Sequence, residues 1–428
     1  MRIDTRGAAA NRGWVRWSIC ALLFFATTVN YVDRQVIAIL KPTLQQEMGW
    51  NESDFATLVV WFQFAYAIMM PFAGRMIDLL GTRIGYALAV AVWSLASMSH
   101  AAASNLTQFA AARFGLGVGE SANFPAAIKT VADWFPKKER AFATGIFNSG
   151  SNLGAMIAPL LVPFVALRLG WRAVFLVTGS LDFLWIAIWL LYFRKPSEHK
   201  SVSAAELAYI QSDAAPEPPA KTPYSKIIRQ RAAWAFICGK FMTDPVWWFY
   251  LFWLPGFLHG AYGLQLTQLG SPLVVIYLAA DAGSILGGWL SSFMASLGWP
   301  PNRSRKVAML ICASFAAPAV LLLFVHSLWP AVALLSMATA AHQGWSANLY
   351  TIVPDTFPQK TVGAVVGLGG FAGALSGMLV ARVVGFWLDF SHGFYGPLFV
   401  CAGLAYLSAL LVVHLWSPRL EPVKLESI

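Results

Sequence analysis

Charge is what this chain has least of. Asp, Glu, Lys and Arg together supply 12% of its 428 residues, against about 25% in an ordinary soluble domain. With 58% hydrophobic residues, such a composition excludes a soluble globular protein and implies an integral membrane protein. Cysteine is also sparse: Cys20, Cys238, Cys312 and Cys401 all fall in apolar stretches, so they read as small buried hydrophobes and not as disulfide staples. No nucleotide-binding P-loop is present, which argues against ATP-driven pumping. Neither a metal-ligand spacing nor a nucleophile constellation occurs, so the expectation is a non-enzyme without cofactors.

Long hydrophobic runs take the place of those features. A helix needs roughly 20 mostly apolar residues to cross the hydrocarbon core, and twelve such windows occur, at about 14–40, 53–77, 84–103, 106–132, 140–167, 171–193, 230–259, 268–296, 306–326, 328–354, 360–388 and 394–416. The basic N-terminus is followed by no small-residue cleavage site, which predicts a retained first helix. Lys and Arg set orientation. With the N-terminus inside, the inner segments hold 22 of them, the outer segments three (Lys41, Arg168 and Arg172), and five lie within spans. Both termini are therefore expected in the cytoplasm, and the formal charge of +10 reflects this asymmetry, with no need to invoke nucleic acid.

Between the sixth and seventh windows the chain turns polar. Residues 198–226, EHKSVSAAELAYIQSDAAPEPPAKTPYSK, have the Pro, Ser and charge content of a linker, with a short helix around SAAELAYIQ. This divides the chain into an N-terminal six-helix bundle (1–193), a cytoplasmic linker (194–229) and a C-terminal six-helix bundle with a short tail (230–428). An internal match supports the division: SAN at 121–123 and ADWFPKKERAFATG at 132–145 face SAN at 346–348 and PDTFPQKTVGAVVG at 354–367. Parallel six-helix halves enclosing a mid-membrane substrate site are a known transporter architecture. The expected fold is an all-α membrane protein of twelve transmembrane helices in two pseudo-symmetric bundles.

Between the second and third windows lies GRMIDLLGTR, with Gly74, Asp78, Gly81 and Arg83. Its glycines permit a tight turn, and Asp78 is placed to accept hydrogen bonds from a neighbouring helix N-terminus as a breakable gating latch. The motif resembles the loop signature of the major facilitator superfamily, and with the twelve spans and the six-plus-six repeat the resemblance covers nearly the whole chain. The matching site in the second half has Ser292 where Asp78 aligns, so a second latch is not expected there.

Charges inside spans are costly and usually face a partner or a water-filled cavity. At 1.5 Å per residue, Asp33 on the first span and Arg113 on the fourth each lie about 9 Å outward of their span's midpoint. Glu120 is two turns further along the face of Arg113, followed by Asn123. The expected arrangement pairs Asp33 with Arg113, puts Glu120 near the centre, and leaves Arg34, about 100° around the helix from Asp33, to bind an anionic substrate through its bidentate fork. Asp33 and Glu120 are the candidate proton carriers. A static network stapling two helices is the competing reading, and the further polar groups Tyr31, Gln35, Tyr66 and Asn123 count against it.

NYVDRQ, ARFGLGVGESANFPAAIKTVADWFPKKERAFATGIFNSGSNLGA and AAHQGWSANLY together resemble the anion:cation symporter family of that superfamily, in particular its bacterial hexuronate transporters. The resemblance implies that Arg34 binds the substrate carboxylate, that Asp33 and Glu120 take protons, that Arg113 is a charge partner, and that Tyr31 and Tyr66 donate hydroxyls. Ser149, Ser151 and Asn152 on the fifth span would supply the polar contact that sugar-acid members make there. In the second half, Trp247, Tyr250 and Trp253 of TDPVWWFYLFWLP offer apolar faces with polar edges to a sugar, and His342, Gln343, Ser346 and Asn348 form a polar cluster in the tenth span. Lys240 and Asp244, four apart, are expected to pair structurally, while Asp281 has no sequence-local partner.

The expectation is thus a monomeric, bacterial inner-membrane symporter of a small organic anion, a hexuronate such as galacturonate or glucuronate, with protons. The alternatives are another organic anion (aldonate, aldarate or aromatic acid), a proton-driven drug exporter, which the adjacent Asp33 and Arg34 disfavour, and a sensor that binds without translocating.

Overall fold

The structure is a computed structural model that describes residues 13–213 and 223–423, apart from a few side chains that include Asp78. Among the described residues there are helices and connecting turns and no strand. The long helices are α1 (Val15–Ile39), α3 (Glu52–Ser99), α4 (Leu106–Glu120), α5 (Asn123–Trp134), α6 (Lys137–Leu169), α7 (Trp171–Tyr192), α10 (Arg231–Tyr262), α11 (Gly270–Ser296), α12 (Pro301–Ala316), α13 (Leu328–Thr356), α14 (Gln359–Phe390) and α15 (Gly396–Trp416). Short helices α2 (Lys41–Met48), α8 (Ala204–Ile210) and α9 (Tyr224–Ile228) lie between them. The linker helix expected around residues 203–211 is α8, whereas α2 carries no apolar signal because it is short and largely polar.

Nine helical segments among the described residues are long and apolar enough to cross a bilayer, including Glu52–Ile77 within α3 and Leu79–Ala102, which runs from α3 into the 3₁₀ turn His100–Ala102. Gly81 separates them: its φ of 74° lies in the region that only glycine enters freely, so the chain turns there without a longer loop. Residues Leu106–Trp134 (α4 and α5, broken at Ser121 and Ala122), α10 and α13 complete twelve. The fourth span is left as helices of 15 and 12 residues by its break, and all three carry polar groups in their interior. They carry Arg113 and Glu120, Lys240 and Asp244, and the His342 cluster, the same polar groups that the sequence singles out. The ninth span begins as α12 and ends as a 3₁₀ segment, Ala317–Phe324, where Pro318 removes a backbone donor.

Helix ends are closed by local chemistry. Asn51 and Asp54 form a reciprocal capping box at the start of α3, with Asn51 Oδ1 accepting from the Asp54 amide at 2.8 Å and Asp54 Oδ2 from the Asn51 amide at 3.1 Å. Asn105 caps α4 by accepting from the Gln108 amide at 3.0 Å.

Close packing before residue 194 joins α1 to α6 and α3 to both α4 and α7; after residue 230 it joins α10 to α14 and α15, and α13 to α11 and α12. Across the two sets run α3–α14, α6–α11 and α1–α10. The side-chain hydrogen bonds that tie the two sets cluster at mid-depth and towards the face bearing α2. There the Asp389 carboxylate accepts from the backbone amides of Glu52 and Ser53, both at 2.8 Å, the favourable placement of an anion at a helix N-terminus. Glu52 also takes Lys41 Nζ at 2.6 Å and Trp253 Nε1 at 3.1 Å, and Arg382 donates to Thr57 at 3.0 Å. Burial pushes the Lys41 ammonium pKa below the usual lysine range, opposed by Glu52. At the opposite face Arg16 bridges Glu139 (3.0 Å) and Glu206 (3.2 Å), fixing the linker helix to α1 and α6.

Where hydrocarbon gives no hydrophobic drive, helices associate by close backbone approach. A Cβ placed on Gly287 would meet the backbone of Gly344, whereas one on its neighbour Gly288 would meet open space. Gly287→Val is therefore expected to destabilise the α11–α13 contact by about 1–3 kcal/mol and Gly288→Val to have little effect; thermal unfolding of the two variants in detergent makes the comparison.

Candidate functional site

α1 is mostly apolar before it presents Asp33, Arg34 and Gln35 in succession, all three buried. One hundred degrees per residue aims each at a different neighbour. Arg34 points to the fourth span, where its Nε and Nη2 donate to Glu120 Oε2 at 2.9 and 2.5 Å. The pair is 3% and 0% exposed, and Glu120 Oε1 has no hydrogen-bond donor. Glycines make the approach possible: Gly117 and Gly119 face the backbone of the two α3 segments at distances no Cβ would allow.

Four rings surround the Arg34 guanidinium. Tyr31 lies 4.6 Å from it, Phe62 5.2 Å, Tyr66 5.3 Å and Trp248 5.5 Å, measured to ring centroids. Three belong to α1 and α3, but Trp248 comes from α10 across the interface, so both sets of helices build the site. Each ring supplies cation–π attraction of about 0.5–2 kcal/mol, and Tyr31 and Tyr66 keep partial exposure. Gln63 stands on α3 one residue after Phe62, buried, with neither its amide oxygen nor its nitrogen partnered. Gln35 donates to the Tyr277 hydroxyl on α11 at 2.7 Å and leaves its own oxygen without a donor.

The expected pairing of Asp33 with Arg113 is corrected. Arg113 makes no direct ion pair among the described residues; its guanidinium lies 4.4 Å from the Phe62 ring and 5.7 Å from that of Phe252, with Nε and Nη2 unpartnered. Asp33 instead turns towards α3 and α7, where Ser97 Oγ donates to its Oδ1 at 2.9 Å. Counting residues along each span gives Asp33 and Arg113 the same depth, but it does not give azimuth around α1, and azimuth decides the partner.

Other expected site residues divide. Asn123 accepts a hydrogen bond from the Tyr86 hydroxyl, which fixes it at the start of α5. Ser151 donates to the backbone of Asn148 at 2.7 Å and Ser149 to that of Ile146 at 2.7 Å, so both hydroxyls are used within α6. Asn152 reaches Asp281 on α11, giving that acid the partner its own helix lacked. Trp247 stacks on His342 (5.1 Å, 10° between planes), and His342 Nδ1 is 2.8 Å from the Tyr406 hydroxyl. Tyr250 is buried with its hydroxyl unpartnered. Gln343 and Ser346 are half-buried on α13. Asn348 binds the backbone oxygens of Gly287 and Gly344 at 2.8 and 2.9 Å, a structural role. Trp253, expected against the substrate, is the Glu52 ligand at the α2 face, five residues beyond Trp248. Lys240 and Asp244 pair at 2.8 Å as expected.

Of the gating motif, Gly81 makes the turn, Gly74 has open space around it, and Arg83 donates to the Leu190 carbonyl at 2.6 Å; the Asp78 side chain lies outside the described part. In the second half Ser292 forms no latch, but Arg305 meets Asp355 at 3.1 Å and Ser291 Oγ at 2.6 Å, so an ionic tie between α12 and α13 exists on neighbouring residues.

The comparisons with known proteins give the chain's family and fold. A family model described as the Major Facilitator Superfamily matches residues 23–381. The hexuronate transporter of Escherichia coli (strain K12) is 33% identical over 405 residues, 93% of either chain. A galacturonate transporter of Dickeya chrysanthemi is 34% identical over 280 residues, 64% of this chain and 81% of its own. Among solved structures, a bacterial homologue of the human lysosomal transporter Spinster, in an inward-facing and occupied conformation, superposes with a TM-score of 0.69 at 18% identity, over 95% of this chain and 96% of its own; that likeness concerns the fold alone.

Removing one member of a buried ion pair strands the other, whereas replacing both with apolar groups removes the penalty. Glu120→Ala is expected to cost about 3–5 kcal/mol, and Arg34→Met with Glu120→Leu to unfold close to the wild-type temperature, as read by thermal unfolding in detergent.

Proposed function

This chain belongs to the major facilitator superfamily, and from that premise we propose that it imports a hexuronate monoanion, galacturonate or glucuronate, together with protons by alternating access. It is a multi-pass membrane transporter and not an enzyme. The reading places it as a monomer in a bacterial inner membrane, with residues 1–193 and 230–428 as the two rocking halves and both termini in the cytoplasm, which makes the α2 face the outer one. Closure at that face by Asp389, Glu52, Lys41 and Trp253 then corresponds to an inward-facing or occluded state.

The observation that carries the proposal is the Arg34–Glu120 pair inside its aromatic box. An arginine held by an internal carboxylate is a carboxylate site already occupied by a surrogate. A proton on Glu120 removes the surrogate's charge and frees the fork for a substrate carboxylate, which has the same two-oxygen geometry. Uptake of the anion is thereby tied to uptake of a proton. Tyr31, Tyr66 and Trp248 offer apolar faces with polar edges to the sugar ring, and the unpartnered amide of Gln63 is positioned for a ring hydroxyl. The names of the 33–34% identical relatives support hexuronate over other organic anions. If two protons accompany a monoanion, one positive charge moves inward per cycle and the membrane potential adds about 2.3 kcal/mol per 100 mV.

Proteoliposomes with an imposed inward proton gradient test this. Labelled galacturonate should accumulate with wild-type protein and fail to do so with Arg34→Ala, while Glu120→Gln should retain substrate counterflow and lose gradient-driven accumulation. Absence of uptake by wild type, with uptake of an aldonate or aldarate instead, would reassign the substrate; gradient-insensitive uptake by wild type would refute proton coupling.

A further inference from the structure

The Arg34–Glu120 pair leaves a second acidic group unexplained. Asp182, on α7, is 1% exposed, and Asp33 is 2% exposed. Their side chains lie next to each other, on the side of α1 away from Arg34. Thr178, one turn before Asp182, also lies against Asp33, and the Trp93 indole lies against Asp182. Ser97 donates to Asp33 Oδ1, but Oδ2 of Asp33 and Oδ2 of Asp182 both lack a donor. Two adjacent carboxylates buried in apolar protein repel each other and strand their lone pairs; one proton between them removes the repulsion and supplies the missing donor.

Charge balance leads to the same place. The other charged and titratable groups facing this pair are Arg113, Glu120 and, less directly, Tyr86; His100 faces Arg113. The buried cluster of the first six spans thus sets two guanidinium groups, Arg34 and Arg113, against three carboxyls, Asp33, Glu120 and Asp182. It is neutral when one carboxyl holds a proton, and Glu120 is already committed to Arg34 as an anion.

We propose that Asp33 and Asp182 form one acid pair that binds a single proton, and that this proton is carried with the substrate. The proposal rests on the transport reading above and extends it by a site. On loading, a hydronium ion gives its proton to one carboxylate oxygen, and the pair goes from two carboxylates to one carboxylic acid hydrogen-bonded to one carboxylate; on release the O–H bond breaks and the proton returns to water on the other side. With Glu120 as the second acceptor, two protons accompany each monoanion.

Two measurements on the full-length protein test this. The first needs no substrate: infrared difference spectra of the reconstituted protein across a pH titration should contain a protonated-carboxyl C=O band that disappears in Asp182→Asn and in Asp33→Asn alike, because neither residue alone forms the pair. A band that persists in both variants would overturn the proposal. The second is steady-state accumulation of labelled galacturonate under an inward gradient of about one pH unit, where each coupled proton is worth about a tenfold change in accumulation ratio. Asp182→Asn should lower the ratio about tenfold, and Asp182→Glu should restore it, which separates a lost proton from a misfolded protein. Wild-type accumulation and proton flux per substrate in a folded Asp182→Asn would refute the coupled proton. Failure of wild type to transport galacturonate would instead count against the substrate assignment, and the infrared result would still decide whether the pair holds its proton.

Discussion

A buried arginine is the constraint around which the rest of this protein is arranged. Taking a guanidinium and a carboxylate out of water costs several kcal/mol per ion, and the attraction between them compensates only with good geometry and added partners. Arg34 meets those terms with two donors to one Glu120 oxygen and with four aromatic faces around the remaining surface. The glycines of α4 follow from this demand. Glu120 reaches the arginine only because Gly117 and Gly119 let the fourth span press against α3, and a span built of bulkier residues would hold the two charges apart. A pair of this kind is a poor choice for stability, since an apolar replacement of equal volume would serve at least as well. Its retention makes sense if the pair must separate, which is what binding a substrate carboxylate would require.

Separation has to be coordinated with movement of the two helical sets. Trp248 ties the site to that motion, because it stands on α10 while the arginine stands on α1. The same two helices meet again towards the α2 face, where Lys41 follows α1 and Trp253 lies on α10, both on Glu52. A change in how α10 approaches α1 alters the aromatic box and the Glu52 cluster together. The Asp389 carboxylate on the α3 N-terminus adds a contact that backbone amides supply regardless of side-chain rotamer, so closure there depends on helix position more than on side-chain detail.

The fold was largely legible in the sequence because hydrocarbon imposes length and polarity rules that read off a single chain. Twelve windows became twelve spans. The fourth, seventh and tenth windows, which carry charged or polar residues, are spans because those residues have a reason to be there. The charges of the candidate site stood out in the sequence, but their pairings did not, nor did Phe62, Gln63 and Trp248 around Arg34. Arg34, Asp33 and Glu120 stand out as charges in oil, and depth follows from counting residues, but which neighbour each side chain meets depends on helix azimuth and on packing between α1, α4 and α7, and a linear pattern does not encode that. Trp253 and Trp248 lie five residues apart on α10, and only the crossing of α10 past α1 and α3 sends one to Glu52 and the other to Arg34. Asp182 is a different kind of miss. A lone acid in the middle of an apolar span is a sufficient signal by itself; only its pairing, with a residue 149 positions earlier in the chain, needs the structure.

Electroneutrality connects these pieces in one step of physical argument. On the proposed assignment, the cluster that has loaded the pair's proton and awaits substrate is balanced by Arg34 and Arg113 against Glu120, Asp33 and one protonated acid. A substrate monoanion entering beside Arg34 adds a negative charge to a region of low dielectric, and only a proton on Glu120 restores the balance without moving a guanidinium. The substrate cannot settle without the proton, and the proton on Glu120 leaves Arg34 uncompensated without the substrate. Each half-loaded state carries an unpaired buried charge costing several kcal/mol, and a closed conformation, which removes the water that would screen that charge, penalises it most. Coupling then needs no dedicated gate for the proton on Glu120: the fully loaded cluster is balanced and can close, and the same desolvation penalty that makes Arg34 expensive to bury excludes the slip states that hold the substrate alone or that proton alone.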